Sequence, residues 1–178
     1  MSRNLTVPPP MPPARRIRPD ATAVIAFGAN LGDREATIRG AAERIARLPL
    51  VDDLRLSSLH ETVALRLDGP DPDAPGYINA VALVTTRLAP DILLGMLHAI
   101  EDEYGRERRE RWGDRTLDLD LIAYGDETAH TETLQLPHPR AAERLFVLEP
   151  WLELDPDAAL AGSGPIAPLV AALRERDE

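Results

Sequence analysis

Between residues 21 and 125 the apolar residues alternate between two spacings, and the order of those spacings limits the folds open to the chain. ATAVIAFG (21–28) is a continuous β-rich run ending in glycine and reads as a buried strand. DREATIRGAAERIARL (33–48) carries apolar residues at helical spacing, with Asp33 as its N-cap and Pro49 beyond its end. VDDLRLSSLHET (51–62) is a weaker strand and YINAVALVTTR (77–87) a stronger one. APDILLGMLHAIEDEYG (89–105) is helical, with Asp91 near its start and Gly105 at its end. TLDLDLIAYG (116–125) is again a strand. The order β-α-β-β-α-β predicts an α/β (α+β) chain: a ferredoxin-like, mostly antiparallel sheet with helices packed on both sides, in a single domain.

The connecting segments carry their own signals. LRLDGPDPDAPG (65–76) is crowded with Pro, Gly and Asp and reads as a long loop, and GRERRERWGDR (105–115) reads as a basic one. Loops of that length are often lids. LQLPHPRAAERLFVLEPWLEL runs from an extended piece through Pro137 and Pro139 into a helical turn, and GPIAPLVAALRERD suggests a last amphipathic helix. No internal repeat is present. Residues 1–20 are rich in Pro and Arg and lack an apolar signal-peptide core, so a disordered arm is expected there and a domain over 21–178.

Composition removes several classes of function. The 178 residues contain no cysteine, which excludes disulfides and thiolate metal sites and fits a reducing, cytoplasmic setting. No apolar run approaches the roughly 18 residues of a membrane span. The net charge is −10; beyond residue 20 it is 16 Arg against 29 acids, or −13, a poor nonspecific nucleic-acid binder. All 20 basic residues are Arg. Without lysine, a P-loop nucleotide site and Schiff-base chemistry are both excluded.

What remains is a set of polar residues in unusual places. Asp118 and Asp120 alternate with Leu117, Leu119 and Leu121, so both carboxylates face one side of a strand with Cα atoms about 6.5–7 Å apart. A Mg2+ ion held by one or two carboxylates and by substrate phosphates suits that pair, although a solvated strand face fits the same pattern. Arg106, Arg108, Arg109, Arg111 and Arg115 precede it. Guanidinium forks beside a metal pair match a metal–polyphosphate ligand, while Glu107 and Glu110 also allow an ordinary solvated charge run. Tyr77 and Asn79 share a face at the start of their strand, where an aromatic wall and an amide suit the edge of a heterocycle. Trp112 is an aromatic in a polar loop. FGANLG (27–32) resembles a phosphate loop only weakly, since it lacks G-x-G-x-x-G, and reads equally well as a plain strand–turn–helix corner. His138, fixed between two prolines, can face a phosphate or serve the structure.

FGANLG, YINAVA, RWGDRTLDLDLI and LPHPRAAERLFVL, in that order across residues 22–155, resemble the 6-hydroxymethyl-7,8-dihydropterin pyrophosphokinase family of folate biosynthesis. The resemblance implies a ferredoxin-like sandwich that transfers diphosphate from ATP to the pterin hydroxymethyl group and releases AMP. It implies two Mg2+ ions bound with ATP at Asp118 and Asp120, and Arg106 and Arg115 as the catalytic charges on the transferring group. Arg108, His138 and Arg144 match ATP-phosphate contacts, with Glu101 and Trp112 on the nucleotide side. The pterin would lie between the rings of Trp112 or Tyr77 and Phe146, its edges read by Asn79 and by backbone near Thr62 and Leu65. A cytoplasmic monomer is expected, with small-molecule substrates and no nucleic-acid or membrane partner. The chain departs from the family pattern at Ala29, Val63, Asp114 and Thr133.

Two other functions fit some of these residues. A metal-dependent phosphoesterase would use the Asp pair and water without a pterin. An RNA-binding module on the same sheet would need strand aromatics and a basic face, and the chain has two Phe and an acidic body.

Overall fold

The computed structural model describes residues 18–62, 64–66, 69–71, 76–105 and 116–177. The expected arm lies outside these except for Arg18–Asp20. There Arg18 pairs with Glu127 and lies 5.8 Å from the centre of the Tyr124 ring, and Asp20 lies 3.5 Å from Arg87.

In chain order the elements are β1 (Ala21–Ala29), α1 (Arg34–Ala46), β2 (Val51–Leu56), β3 (His60–Thr62), β4 (Ala64–Arg66), β5 (Gly69–Asp71) and β6 (Tyr77–Thr86). There follow α2 (Pro90–Glu103), β7 (Asp118–Tyr124), β8 (Ala129–His130), β9 (Gln135–Leu136), α3 (Leu145–Leu154), β10 (Ala159–Leu160), β11 (Gly164–Pro165) and α4 (Ile166–Asp177). The main sheet runs β2-β6-β1-β7, with β3 also on β6, and every pair is antiparallel. This is the expected ferredoxin-like order.

Hydrophobicity decides which strands are central. In β1, Ala23 to Phe27 are all buried, and in β6, Ile78 to Val84. Runs apolar on both faces need cover on both faces, so these two strands occupy the middle of the sheet. β2 alternates Asp and Arg with Leu and takes an edge. One face packs on α1 and α2 through Ile25, Phe27, Ala82, Ile38, Ile45, Leu93 and Leu97. The other packs on α3 and α4 through Val24, Val81, Leu83, Val147, Leu148, Trp151, Ile166 and Val170. Helices therefore cover both sides.

Local signals place the helix ends as the sequence predicts. Asp33 caps α1, its Oδ1 accepting from the N–H of Ala36 at 3.1 Å. Pro90 opens α2, and Gly105 follows it at φ 79°, a conformation that favours glycine. Gly40 lets the helices approach, since a Cβ there would lie 2.6 Å from the Tyr104 hydroxyl.

Some segments differ from expectation. The strand predicted over 51–62 is two strands, because after Ser57, whose N–H still donates to Val81 O at 2.9 Å, the chain leaves β6 and rejoins it at His60. The segment read as a long loop over 65–76 contains a small hairpin, β4 pairing with β5. A second hairpin, β8 with β9, follows β7. No helix among the described residues is long and apolar enough to cross a membrane.

Candidate active site

The acids sit on β7, which pairs with β1 along one side. Leu117, Leu119 and Leu121 are buried toward α1 and α2, so the period of two sends Asp118 and Asp120 to the opposite face, where both are half-buried. Pairing shifts by one residue beyond them, leaving Ile122 as a bulge. Ile122 and Ala123 then both face α3, and Tyr124 returns to the α1–α2 side, buried, with its hydroxyl donating to Leu88 O.

Two groups from the segment after β9 converge on Asp120. Arg144 donates from Nη1 to Asp120 Oδ2 at 3.0 Å, and its guanidinium lies 5.6 Å from the centre of the Phe146 ring. His138 places Nε2 4.0 Å from the same carboxylate oxygen. Its backbone N–H donates to Ile122 O at 2.8 Å, which seats the LPHP segment along the outer edge of β7. The peptide before Pro137 is cis. His138 Nδ1 accepts from the N–H of Arg140 at 3.2 Å, so the neutral ring carries its proton on Nε2, toward Asp120. Burial pushes this imidazole below its ordinary pKa, against the pull of Asp120 and with the help of Arg144 and Arg140. Burial therefore favours the neutral ring, an N–H donor through Nε2. Together these groups present two carboxylates, one fixed positive charge and one neutral donor.

The other end of the site is built by cross-strand register. His60, Asn79, Gly28 and Asp118 are successive partners in one row across β3, β6, β1 and β7. Asn79 is buried, and its Nδ2 donates to Thr62 Oγ1 at 2.8 Å. A Cβ on Gly28 would lie 3.6 Å from Asn79 Oδ1, 3.8 Å from Asp118 Cβ and 4.0 Å from Tyr77 Cδ1. The side chains of Tyr77, Asn79 and Asp118 therefore stand around the space that Gly28 leaves. FGANLG marks this corner by its motif, but nothing local shows that Gly28 stands between Asn79 and Asp118, which depends on strand register.

The structure brings together Asp118, Asp120, His138, Arg144 and Phe146 on one side, and Thr62, Tyr77 and Asn79 on the other. Leu65 lies in β4, opposite Pro70. Arg106, Arg108, Trp112 and Arg115 lie outside the described residues, as do Val63 and Asp114. Glu101, expected on the nucleotide side, is buried in α2 at 1% exposure, and its Oε1 accepts from the N–H of Leu119 at 2.9 Å.

The donor set suits a metal that arrives with its ligand. Among the described residues no three His, Cys, Asp or Glu are grouped to hold a cation. A pair of half-buried carboxylates beside a guanidinium instead fits Mg2+ that draws its remaining ligands from water and phosphates.

Such equipment belongs to enzymes that transfer metal-bound phosphates, where positioning and charge stabilisation do most of the catalysis. The chain is a member of one family within that class. A family model described as 7,8-dihydro-6-hydroxymethylpterin-pyrophosphokinase (HPPK) matches residues 24–156, and the chain belongs to that family. A relative from Haemophilus influenzae, named 2-amino-4-hydroxy-6-hydroxymethyldihydropteridine pyrophosphokinase, is 41% identical over 149 residues, 84% of this chain and 91% of that one. A Bacillus subtilis relative of the same name is 40% identical over 132 residues, 74% of this chain and 77% of that one. The fold is similar to that of Plasmodium falciparum HPPK-DHPS solved with pterin and p-hydroxybenzoate, at TM-score 0.66 and 14% identity over 91% of this chain. The match spans 43% of that longer chain, so this likeness speaks for the fold alone.

Proposed function

We infer that this protein transfers diphosphate from ATP to the hydroxymethyl group of 6-hydroxymethyl-7,8-dihydropterin and releases AMP, a step in folate biosynthesis. The observation that carries the reading is the row across the sheet. It sets Asn79, an amide suited to the edge of a heterocycle, and Asp118, a carboxylate suited to a cation, on either side of Gly28, which has no side chain to stand between them. Relatives named for this activity support it. The phosphoesterase alternative finds no such support.

In the reaction the pterin hydroxyl oxygen attacks the β-phosphorus in line. The bond from the β-phosphorus to the bridging α,β-oxygen breaks, and AMP carries that oxygen away. Two Mg2+ ions, carried by ATP and held by Asp118 and Asp120, would neutralise phosphate charge and acidify the attacking hydroxyl. His138 Nε2–H and Arg144 face the phosphates together with Arg108, and Trp112 lies on the nucleotide side. Arg106 and Arg115 meet the charge that grows on the transferring group. The pterin ring lies between Phe146 and Tyr77 or Trp112, with Asn79 and the backbone near Thr62 and Leu65 at its edges. Residues 21–178 form the catalytic domain of a cytoplasmic monomer.

One assay tests this reading: AMP release from Mg-ATP, followed with and without reduced hydroxymethylpterin. Release that depends on the pterin, with a pterin diphosphate product, is expected. Nucleotide hydrolysis indifferent to the pterin would reject it.

A further inference from the structure

Among the described residues the one buried side chain of a charged type is Glu101. The buried face of α2 is Pro90, Leu93, Leu97, Ile100 and Glu101, and all but the last are apolar. A carboxylate inside a protein is unfavourable unless its oxygens are hydrogen-bonded. Glu101 Oε1 accepts the N–H of Leu119, the residue between Asp118 and Asp120. Leu119 stands opposite Phe27 on β1, yet its N–H goes to the helix.

That bond falls on the outer edge of the strand that carries both acids. An edge strand is the least constrained part of a sheet. Among the described residues this one is held at two points along its outer side: Leu119 N–H on Glu101 at 2.9 Å and Ile122 C=O on the N–H of His138 at 2.8 Å. Asp120 lies between the two, and Asp118 is the neighbour of the first. A shift of the edge by about an ångström is enough to spoil a site of this kind.

We propose that Glu101 is a positioning residue. Its carboxylate oxygen fixes the backbone between Asp118 and Asp120 and so sets how the two acids present themselves to the cation of a nucleotide complex. What the Leu119 N–H requires is an acceptor at that reach, and Glu101 supplies it from the helix side while the acids project from the opposite face. The inference rests on the metal–nucleotide reading of the acid pair.

Two single substitutions separate reach from charge. Glu101→Gln keeps an acceptor oxygen at the same reach and loses the charge. Glu101→Asp keeps the charge and shortens the reach by one methylene. Mn2+ binding is measured by titration in the presence of a non-hydrolysable ATP analogue, and exchange of the Leu119 amide is followed by NMR in the same proteins. Glu101→Gln should bind Mn2+ like the wild type and keep Leu119 protected. Glu101→Asp should weaken Mn2+ binding by about 10- to 100-fold, as losses behind a metal ligand typically do, and expose the amide. Loss in Glu101→Gln alone, in both variants or in neither overturns the proposal. A wild-type protein that binds no Mn2+ with the analogue rejects the metal reading itself, a separate result from any of these. If Glu101→Asp does not fold, the Glu101→Gln arm still decides, since weakened binding there contradicts the inference.

Discussion

Asn79→Ala is the most direct probe of ligand recognition. Asn79 makes one internal bond, from Nδ2 to Thr62 Oγ1, and turns Oδ1 toward the space at Gly28. Truncation removes both. The bond to Thr62 contributes about 0.5–1.5 kcal/mol to stability, so a modest fall in Tm is expected. The heterocycle loses a partner for a buried polar edge, which costs about 1–3 kcal/mol. That converts to a rise in pterin Kd of roughly 5- to 150-fold. Thr62→Val grades the effect: it leaves the Asn79 amide in place but unanchored, and should weaken binding by about 2- to 12-fold if only that bond is lost. Both variants are titrated calorimetrically with a hydroxymethylpterin in the presence of a non-hydrolysable ATP analogue. The nucleotide alone should bind all three proteins alike, because the acids and Arg144 stand on other segments. Equal pterin affinity in wild type and Asn79→Ala would move the pterin site away from this row. A parallel loss of nucleotide affinity would mean that the substitution disturbs the sheet rather than the contact.

Other outcomes follow from the same geometry. Asp118→Asn and Asp120→Asn should each remove several kcal/mol of charge stabilisation, at least about 100-fold in kcat, with the fold retained. Asp120→Asn also removes the charge that pairs with Arg144 in a partly buried contact; near-normal turnover in both variants refutes the metal assignment. Glu153 is held below its ordinary pKa by the hydroxyl of Ser58 at 2.6 Å and the Ser58 N–H at 2.8 Å, with His60 adding to the effect. Its stabilisation is complete above the unfolded carboxylate value, about 4.3, and is lost as pH falls through the lower folded value. The Tm difference between wild type and Ser58→Ala should accordingly narrow on acidification, and a gap unchanged at about pH 3 would contradict this. Tyr124→Phe strips the buried donor from Leu88 O and should cost about 1–3 kcal/mol in denaturant unfolding while activity holds. A change below about 0.5 kcal/mol would mean that the carbonyl finds another partner.

Much of this architecture could be read from local pattern. The shared face of Asp118 and Asp120 follows from the period of a strand, and Asp33 and Gly105 mark helix ends by chemistry confined to one turn. Features that depend on distant chain were illegible. Gly28 matters only because β6 and β7 pair on either side of β1, and register is not written in any single segment. Glu101 stands beside Asp102 and Glu103, three acids in a row. Helical spacing from Leu97 favours Glu101 as the inward one, but its partner, the N–H of Leu119, belongs to another element. The hairpin of β4 and β5 hid in a stretch so rich in Pro, Gly and Asp that turn chemistry masked the pairing.

The row of Asn79, Gly28 and Asp118 also works as a gauge. Backbone hydrogen bonds hold neighbouring strands about 4.8 Å apart, so the backbones of Asn79 and Asp118, two strands apart in one row, are separated by about 10 Å. That length belongs to the sheet. Substitution can change what stands at either mark, but only the loss or gain of a strand could move the marks themselves. On the proposed reading, a molecule whose recognition edge and reactive atom are spaced for a different gauge would satisfy Asn79 or reach the acids, but not both.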